Sequence, residues 1–94
     1  MNDLSPVLRY LQENEQRHIQ ELCDYVRFPS ISAQKSHAPD MLKCAEWLAA
    51  RAQRSGLTVE ICPTAGNPVV LAKTPKRPGK RPHFLVYGHY DVQP

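Results

Sequence analysis

The sequence has 94 residues, of which 41% are hydrophobic and 22% are charged, and its formal net charge is +3. A chain of this size is one small domain or part of a larger one, and it buries roughly 60–65% of its unfolded surface on folding. The composition is that of an ordinary globular protein, and a charge this modest does not by itself point to nucleic acid. No apolar run approaches the roughly 18 residues of a membrane span, so no membrane association is expected.

The N-terminal segment and the cysteines bear on the cellular compartment. Residues 1–6 contain no basic stretch followed by an apolar core, so we expect no signal peptide and a cytoplasmic protein. Cys23, Cys44 and Cys62 are odd in number and widely spaced, which argues against a disulfide framework or a cysteine zinc site. Free thiols, buried or half-buried, are the expected state.

The first element is predicted to be one helix that runs from Ser5 to about Phe28. Ser5 is a suitable N-cap, Pro6 fits the first helical position, and Pro29 ends the helix. Most of the apolar residues recur at helical spacing, while the polar stretch at 12–18 is expected to face solvent.

A second helix is predicted to follow a loop at 30–37, to begin near residue 38 and to end at Gly56. A proline and an acid near its N-terminus and a glycine at its C-terminus suit those positions. Its predicted buried stripe consists of Met41, Leu42, Ala45, Leu48, Ala49 and Ala52.

Beyond the second helix the pattern changes from a helical period to alternation, which predicts strands. Residues 57–62 and 69–72 are predicted to be strands of an antiparallel hairpin, joined by a turn that contains a Gly-Asn pair. Residues 83–88 are apolar in succession, which predicts a third strand inside a sheet covered by helices. The predicted fold class is therefore α/β, with two helices followed by three strands.

A His-x-Asp pair, His89 and Asp91, follows the predicted third strand directly. Ligands bind at the carboxyl ends of strands in open α/β sheets, and a histidine held there is well placed to bind a metal. On an extended backbone the two side chains project to the same face. Asp91 then either accepts a hydrogen bond from the imidazole nitrogen that does not bind the metal, or binds the metal itself. By itself such a pair is more typical of a surface histidine beside a surface acid, because a zinc ion needs further ligands.

The last eight residues, Tyr-Gly-His-Tyr-Asp-Val-Gln-Pro at 87–94, resemble a metal-ligand signature. It is that of the M20 family of metallopeptidases, which includes aminoacylase, succinyl-diaminopimelate desuccinylase, carboxypeptidase G and the carnosinase-like dipeptidases. The form with glutamine before proline is most similar to the dipeptidase branch. Softer matches precede it in the family's order, at 27–32 (Arg-Phe-Pro-Ser-Ile-Ser), at 45–48 (Ala-Glu-Trp-Leu) and at 56–57 (Gly-Leu).

The resemblance implies that residues 1–94 are the N-terminal portion of a three-layer zinc-peptidase catalytic domain, without its lid and dimerisation domain. It implies that His89 binds one of two zinc ions, with manganese or cobalt as alternative metals, and that Asp91 is the active-site acid that orients this histidine. The family completes its site with a bridging aspartate, a Glu-Glu pair, another acid and a second histidine, which come from later in the family's sequence.

The activity that this resemblance implies is hydrolysis of dipeptides or short peptides by metal-activated water. We expect the full-length protein to be a homodimer and the 94-residue chain alone to be inactive. An amidohydrolase of the same family that acts on N-acyl amino acids is an alternative, because the residues that distinguish the two substrates are not among these 94.

A third alternative is a non-catalytic truncated module, or a polyanion binder that acts through the basic loop at 73–81. Prolines and a glycine interrupt this loop and no aromatic is interleaved to stack on bases, so a solvated loop is favoured and no nucleic-acid partner is expected. His18 and His37 are predicted to be surface histidines without an acidic partner, and His83 to have a structural role in the third strand. The basic residues of the loop are Lys73, Lys76, Arg77, Lys80 and Arg81.

Overall fold

The computed structural model describes residues 3–94. The expectation of no signal peptide concerned residues 1–6, and the first two of these lie outside the described residues. In the described part, three α-helices precede one two-stranded antiparallel sheet. This mixture of helix and strand agrees with the predicted α/β class at the coarse level. The three-layer zinc-peptidase architecture stays a prediction.

The predicted first helix is divided into two helices, α1 at Ser5–Glu13 and α2 at Glu15–Val26. Asn14 lies between them with φ −107° and ψ 13°, and its side-chain amide donates a hydrogen bond to the carbonyl oxygen of Tyr10 at 2.8 Å. Asparagine side chains compete in this way for the backbone groups of a helix. The Asn14 backbone N–H also donates to the Tyr10 carbonyl oxygen at 3.0 Å, so the side chain shares this acceptor with the backbone. The prediction of one continuous helix was wrong at Asn14, whereas most of the polar residues at 12–18 are exposed as expected.

The start of α1 also differs by one residue from the prediction. The N-cap is Leu4, and Pro6 occupies the first turn as expected. The Ser5 backbone N–H donates to the Asp3 carboxylate at 2.9 Å. A side chain thus accepts a hydrogen bond from the first turn of the helix, but it belongs to Asp3 and not to the predicted cap, Ser5.

Helix α3 spans Ala38–Arg54 and follows a single 3-10 turn at Lys35–His37. Gly56, with φ +86°, comes two residues after the helix, in the left-handed region that glycine adopts without strain. The second helix was thus predicted with nearly its observed bounds. The buried residues of α3 are Met41, Cys44, Ala45 and Ala49.

The predicted buried stripe of α3 is correct in its centre and wrong at its edges. Leu42 is 46% exposed, whereas Leu48 and Ala52 are half-buried. Cys44, which the prediction omitted, is fully buried. The stripe is therefore rotated toward Cys44, and this small thiol packs where the loop after α2 meets the C-terminal segment.

The predicted hairpin is confirmed. Strand β1 at Thr58–Cys62 pairs antiparallel with β2 at Val69–Lys73, so that Thr58 lies opposite Lys73 and Cys62 opposite Val69. Helix α3 packs against both strands. The alternation of residue types predicted strand β1 correctly, because its apolar side chains are half-buried and its polar side chains are exposed.

Residues 83–88 form no strand in the described structure, so the prediction of a third strand is wrong for this chain. A strand needs a hydrogen-bonded neighbour, and the described sheet consists of β1 and β2 alone. The side chains from Phe84 to Tyr87 are 87–92% exposed, and His83 is exposed as well, which removes its expected structural role. The apolar composition predicted a strand that is covered on both faces, but composition does not supply the neighbouring strand.

The cysteine prediction is confirmed, since all three thiols are free, with Cys44 buried and Cys23 and Cys62 half-buried. None of the described helices is long and apolar enough to cross a membrane.

Candidate metal-binding site

Residues 89–92 lie against the loop that follows α2. The Val92 backbone N–H donates to the Ser30 carbonyl oxygen at 2.9 Å, and the Ser30 hydroxyl donates to the Tyr90 carbonyl oxygen at 2.9 Å. Ser30 is fully buried, so both of its bonds are shielded from water. One serine thus fastens the C-terminal segment to a loop that lies about sixty positions earlier in the sequence.

Two tyrosines add further attachments to this segment. The Tyr25 hydroxyl, on α2, donates to the His89 carbonyl oxygen at 3.2 Å, and the Tyr90 hydroxyl donates to the Pro68 carbonyl oxygen at 2.6 Å. Burial raises the pKa of both tyrosines, so both hydroxyls keep the proton that they donate. The segment is therefore held from α2 on one side and from the hairpin turn on the other.

An aromatic cluster fixes the position of Tyr25. Its ring stacks on Trp47 of α3 with a centroid distance of 5.7 Å and an interplanar angle of 9°, and Phe28 packs on Trp47 at 6.2 Å in a tilted arrangement. Such pairs add about 0.5–1.5 kcal/mol beyond their buried area. Trp47 is thus the packing residue that links α2 to α3 beneath the candidate site.

His89 and Asp91 come together at the outer face of the same segment. The imidazole Nδ1 lies 2.7 Å from the Asp91 Oδ1 atom, and the Ser32 hydroxyl donates to Asp91 Oδ2 at 2.5 Å. The hydrogen bond from Ser32, followed by that from His89, holds the pKa of the Asp91 carboxyl below its usual range. Asp91 is therefore a carboxylate at neutral pH and accepts from both neighbours.

The protonation of the imidazole follows from this arrangement. A carboxylate only accepts hydrogen bonds, so in neutral His89 the proton sits on Nδ1 and the lone pair on Nε2. The His89 side chain is 76% exposed, which leaves Nε2 accessible from solvent. This hydrogen bond is compatible with one of the two predicted roles of Asp91, that of an acid bonded to the imidazole nitrogen that does not bind a metal.

The described residues hold no complete metal site. Within residues 3–94, no three histidine, cysteine, aspartate or glutamate side chains lie close enough to share an ion. A structural or catalytic zinc ion needs at least three protein ligands. The part of the chain that the structure describes therefore offers at most a portion of a metal site, and His89 beside Asp91 is the portion that the sequence predicted.

Three residues of this site were not identified as functional from the sequence. Ser30 and Ser32 lie in the Arg-Phe-Pro-Ser-Ile-Ser segment, whose family resemblance implies no chemical role for either serine, and Tyr25 precedes this segment. Their contacts with residues 89–92 join positions 59 to 64 residues apart. The only available signal was the recurrence of hydroxyl residues in that segment.

The other histidines and the basic loop lie elsewhere. The prediction that His37 lacks an acidic partner is wrong, because its Nδ1 lies 2.9 Å from Asp40 Oδ2 across the first turn of α3. Residues three apart at a helix start face each other, and this local spacing brings Asp40 to His37. His18 is half-buried beside Tyr10. The basic loop is exposed throughout, and its cations form no ion pair within the described residues.

Comparison with known proteins gives distant matches. No family model matches the chain, and no solved structure matches it. A cysteinylglycine-S-conjugate dipeptidase from Corynebacterium striatum is 31% identical over 84 residues, which cover 89% of this chain and 18% of the relative. The chain is similar to dipeptidases. A Cys-Gly metallodipeptidase from Candida albicans is 29% identical over an alignment of 104 positions that covers 97% of this chain and 21% of the relative.

This dipeptidase similarity extends over nearly all of the chain, but the chain spans only about a fifth of the length of these relatives. Both relatives are named as dipeptidases that act on cysteinylglycine compounds, and the second is named as a metalloenzyme. The similarity therefore supports a dipeptidase-like hydrolase as the general class.

Proposed function

We propose that residues 1–94 are the N-terminal portion of the catalytic domain of a metal-dependent dipeptidase, and that His89 is one of its metal ligands. The observation that carries this proposal is the 2.7 Å hydrogen bond between His89 Nδ1 and Asp91 Oδ1, which leaves Nε2 as the ligand atom. The similarity to two dipeptidases supports the reaction class.

Zinc is the metal that we propose, with manganese or cobalt as alternatives. Neutral imidazole suits zinc, and an accessible Nε2 opposite a carboxylate-bound Nδ1 fits a single zinc ligand. When bound, the metal supplies an activated water and polarises the carbonyl of the scissile bond. The remaining ligands come from parts of the protein other than the residues described.

The chain's own residues have supporting tasks in this proposal. Asp91 keeps the proton on Nδ1, fixes the ring orientation and makes Nε2 a better donor to the metal. Ser30 and Tyr25 hold the backbone of residues 89–92, so that the imidazole projects from a fixed position. Preorganisation of this kind matters because small displacements of a ligand weaken a metal site.

We propose cysteinylglycine or a related dipeptide as the substrate, because both relatives carry that substrate in their names. We propose in addition that the complete protein contains a lid domain that forms a homodimer. The length of the relatives, about five times that of the chain, supports the presence of further domains.

The test compares metal content and Cys-Gly hydrolysis in the complete protein and its His89→Ala variant. His18→Ala is the matched control, since His18 lies on α2, outside the site. We expect His89→Ala to reduce both metal affinity and hydrolysis by more than about 100-fold, because loss of a ligand exceeds the 10–100-fold cost of losing an outer partner. His18→Ala should change neither.

An N-acetyl amino acid in the same assay distinguishes the dipeptidase from an amidohydrolase of the same chemistry. Preferential hydrolysis of Cys-Gly supports the proposed substrate, and preferential hydrolysis of the N-acyl compound contradicts it. Unchanged metal content in His89→Ala contradicts the proposed function as a whole.

A further inference from the structure

We infer that Ser32 is a positioning residue for the metal ligand His89 and that it acts through Asp91. This inference rests on the proposed function, because it gives Ser32 a task in the site built around His89. Its basis is a continuous chain of hydrogen bonds, in which the Ser32 hydroxyl donates to Asp91 Oδ2 at 2.5 Å and His89 Nδ1 donates to Asp91 Oδ1 at 2.7 Å.

The two bonds use different oxygens of one carboxylate. The terminal torsion of an aspartate is broad, so a carboxylate bonded through one oxygen can rotate about its last bond. A second bond, to the other oxygen, fixes the plane of the carboxylate group. The ring torsion of histidine is equally broad, so the plane of the His89 imidazole, and the direction of its Nε2 lone pair, depends on the fixed plane of Asp91.

The position of Ser32 is set by the backbone and not by its own packing. Ser30, two residues earlier, binds the Tyr90 carbonyl through its hydroxyl and the Val92 N–H through its carbonyl. These bonds align the loop with residues 89–92, and the Ser32 hydroxyl then faces the carboxylate of Asp91. Ser32 is exposed, so its side chain contributes little to the core.

A contrast between the two serines separates a folding role from a positioning role. Ser30 is fully buried, and its hydrogen bonds are made to backbone groups. The hydroxyl of Ser32 is bonded within the described residues only to the Asp91 side chain. Removal of the Ser30 hydroxyl is therefore expected to affect stability, whereas removal of the Ser32 hydroxyl is expected to affect the orientation of Asp91 and His89.

The experiment is a double-mutant cycle on the complete protein, with zinc affinity as the first measurement. Ser32→Ala is expected to weaken zinc binding by about 10–100-fold, the usual cost of losing an outer partner of a metal ligand. In an Asp91→Ala background the same substitution should have no further effect, because Ser32 acts only through that carboxylate. Ser32→Thr, which keeps a hydroxyl, should restore most of the affinity.

The second measurement is independent of bound metal. In the zinc-free protein, ¹⁵N NMR of the imidazole should report the proton on Nδ1 of His89, and Ser32→Ala should reduce the population of that tautomer. Ser36→Ala is the matched control, since Ser36 is an exposed serine in the 3-10 turn and lies outside the site. It should change neither zinc affinity nor the tautomer. Thermal unfolding of both variants checks that each one folds.

The outcomes separate this inference from the proposed function. If His89→Ala abolishes zinc binding while Ser32→Ala leaves the affinity and the tautomer unchanged, the inference about Ser32 is overturned and the proposed function stands. An equal effect of Ser32→Ala with and without the Asp91 carboxylate also overturns it. If the His89→Ala variant binds zinc as tightly as the parent protein, both the inference about Ser32 and the proposed function are overturned.

Discussion

At the scale of single residues, the hydrogen bonds of the candidate site are of two kinds, one local in sequence and the others long-range. His89 and Asp91 are two residues apart, so their proximity follows from local backbone geometry and was predicted from the sequence. Tyr25, Ser30 and Ser32 reach the same segment from about sixty residues away, and that distance is bridged only by the folded chain. A single sequence does not say which residues about sixty positions apart will meet, and the recurring hydroxyl residues at 30–32 were the one hint that it offered.

Tyr25 provides a test of how residues 89–92 are held. Tyr25→Phe keeps the ring on Trp47 and removes only the hydroxyl that donates to the His89 carbonyl oxygen. We expect a loss of about 0.5–1.5 kcal/mol in the free energy of unfolding, the usual net value of one hydrogen bond. Chemical denaturation measures this loss. Tyr87→Phe is the control, because Tyr87 is 89% exposed, and equal losses in the two variants would contradict the role of Tyr25.

At the scale of elements, local patterns predicted α3 and the hairpin well, because each has its own period and its own end signals. The first helix was predicted less well, because it is interrupted at Asn14, whose side-chain amide and backbone N–H both donate to the Tyr10 carbonyl oxygen. The contact between α2 and α3 was not predicted at all. It includes an ion pair in which Arg51 Nε lies 2.7 Å from Glu21 Oε2, and Arg17 binds the other oxygen of Glu21 at 2.8 Å.

This ion pair predicts a pH dependence of stability. The hydrogen bond from Arg51, with a smaller contribution from Arg17, lowers the pKa of Glu21 from its ordinary value of 4.5. A group whose folded pKa is depressed stabilises the fold above its unfolded pKa, and this contribution is lost as the pH falls through the folded pKa. Glu21→Gln should therefore be less stable than the parent at neutral pH.

In urea unfolding, the difference in stability between the parent and Glu21→Gln should shrink as the pH is lowered through the folded pKa of Glu21. Glu13→Gln is the matched control, because Glu13 is exposed at the end of α1, away from the contact between α2 and α3. It should show no comparable pH-dependent difference. A difference for Glu21→Gln that is constant over the whole acidic range would contradict the ion-pair account.

At the scale of the whole molecule, the described core is small and much apolar surface is exposed. The buried hydrophobic residues lie on α3, whereas the side chains from Phe84 to Tyr87 are 87–92% exposed. The sequence indicated correctly that this segment is apolar on both faces, and the third strand failed to form because strand pairing requires a second segment. An exposed apolar segment with free backbone groups is prone to associate with other chains.

We therefore predict that the isolated 94-residue chain self-associates through residues 84–87. Val86→Lys should raise the protein concentration at which the chain stays monomeric, because a charge disfavours association of exposed apolar segments. Thr74→Lys adds the same charge in the exposed basic loop and should have little effect. Sedimentation velocity over a range of concentrations measures both. Monomers at every concentration, together with a sharp reversible two-state thermal transition, would contradict this prediction.

The isolated chain should also be catalytically inactive. Among the described residues no three histidine, cysteine, aspartate or glutamate side chains lie close enough to share an ion, so we expect that added zinc forms no complete site. Cys-Gly hydrolysis assayed with added zinc is the measurement. Hydrolysis that disappears in His89→Ala would contradict the proposal that further ligands are required.

The most direct test of the central claim is a metal-bound crystal structure of the complete protein, with anomalous scattering to locate the metal. We predict that His89 Nε2 coordinates the metal at about 2.0–2.1 Å, the usual zinc–imidazole distance. Nδ1 should remain hydrogen-bonded to Asp91, and Asp91 to Ser32. A metal site that does not include His89, or that binds His89 through Nδ1 with Asp91 turned away, would contradict the account.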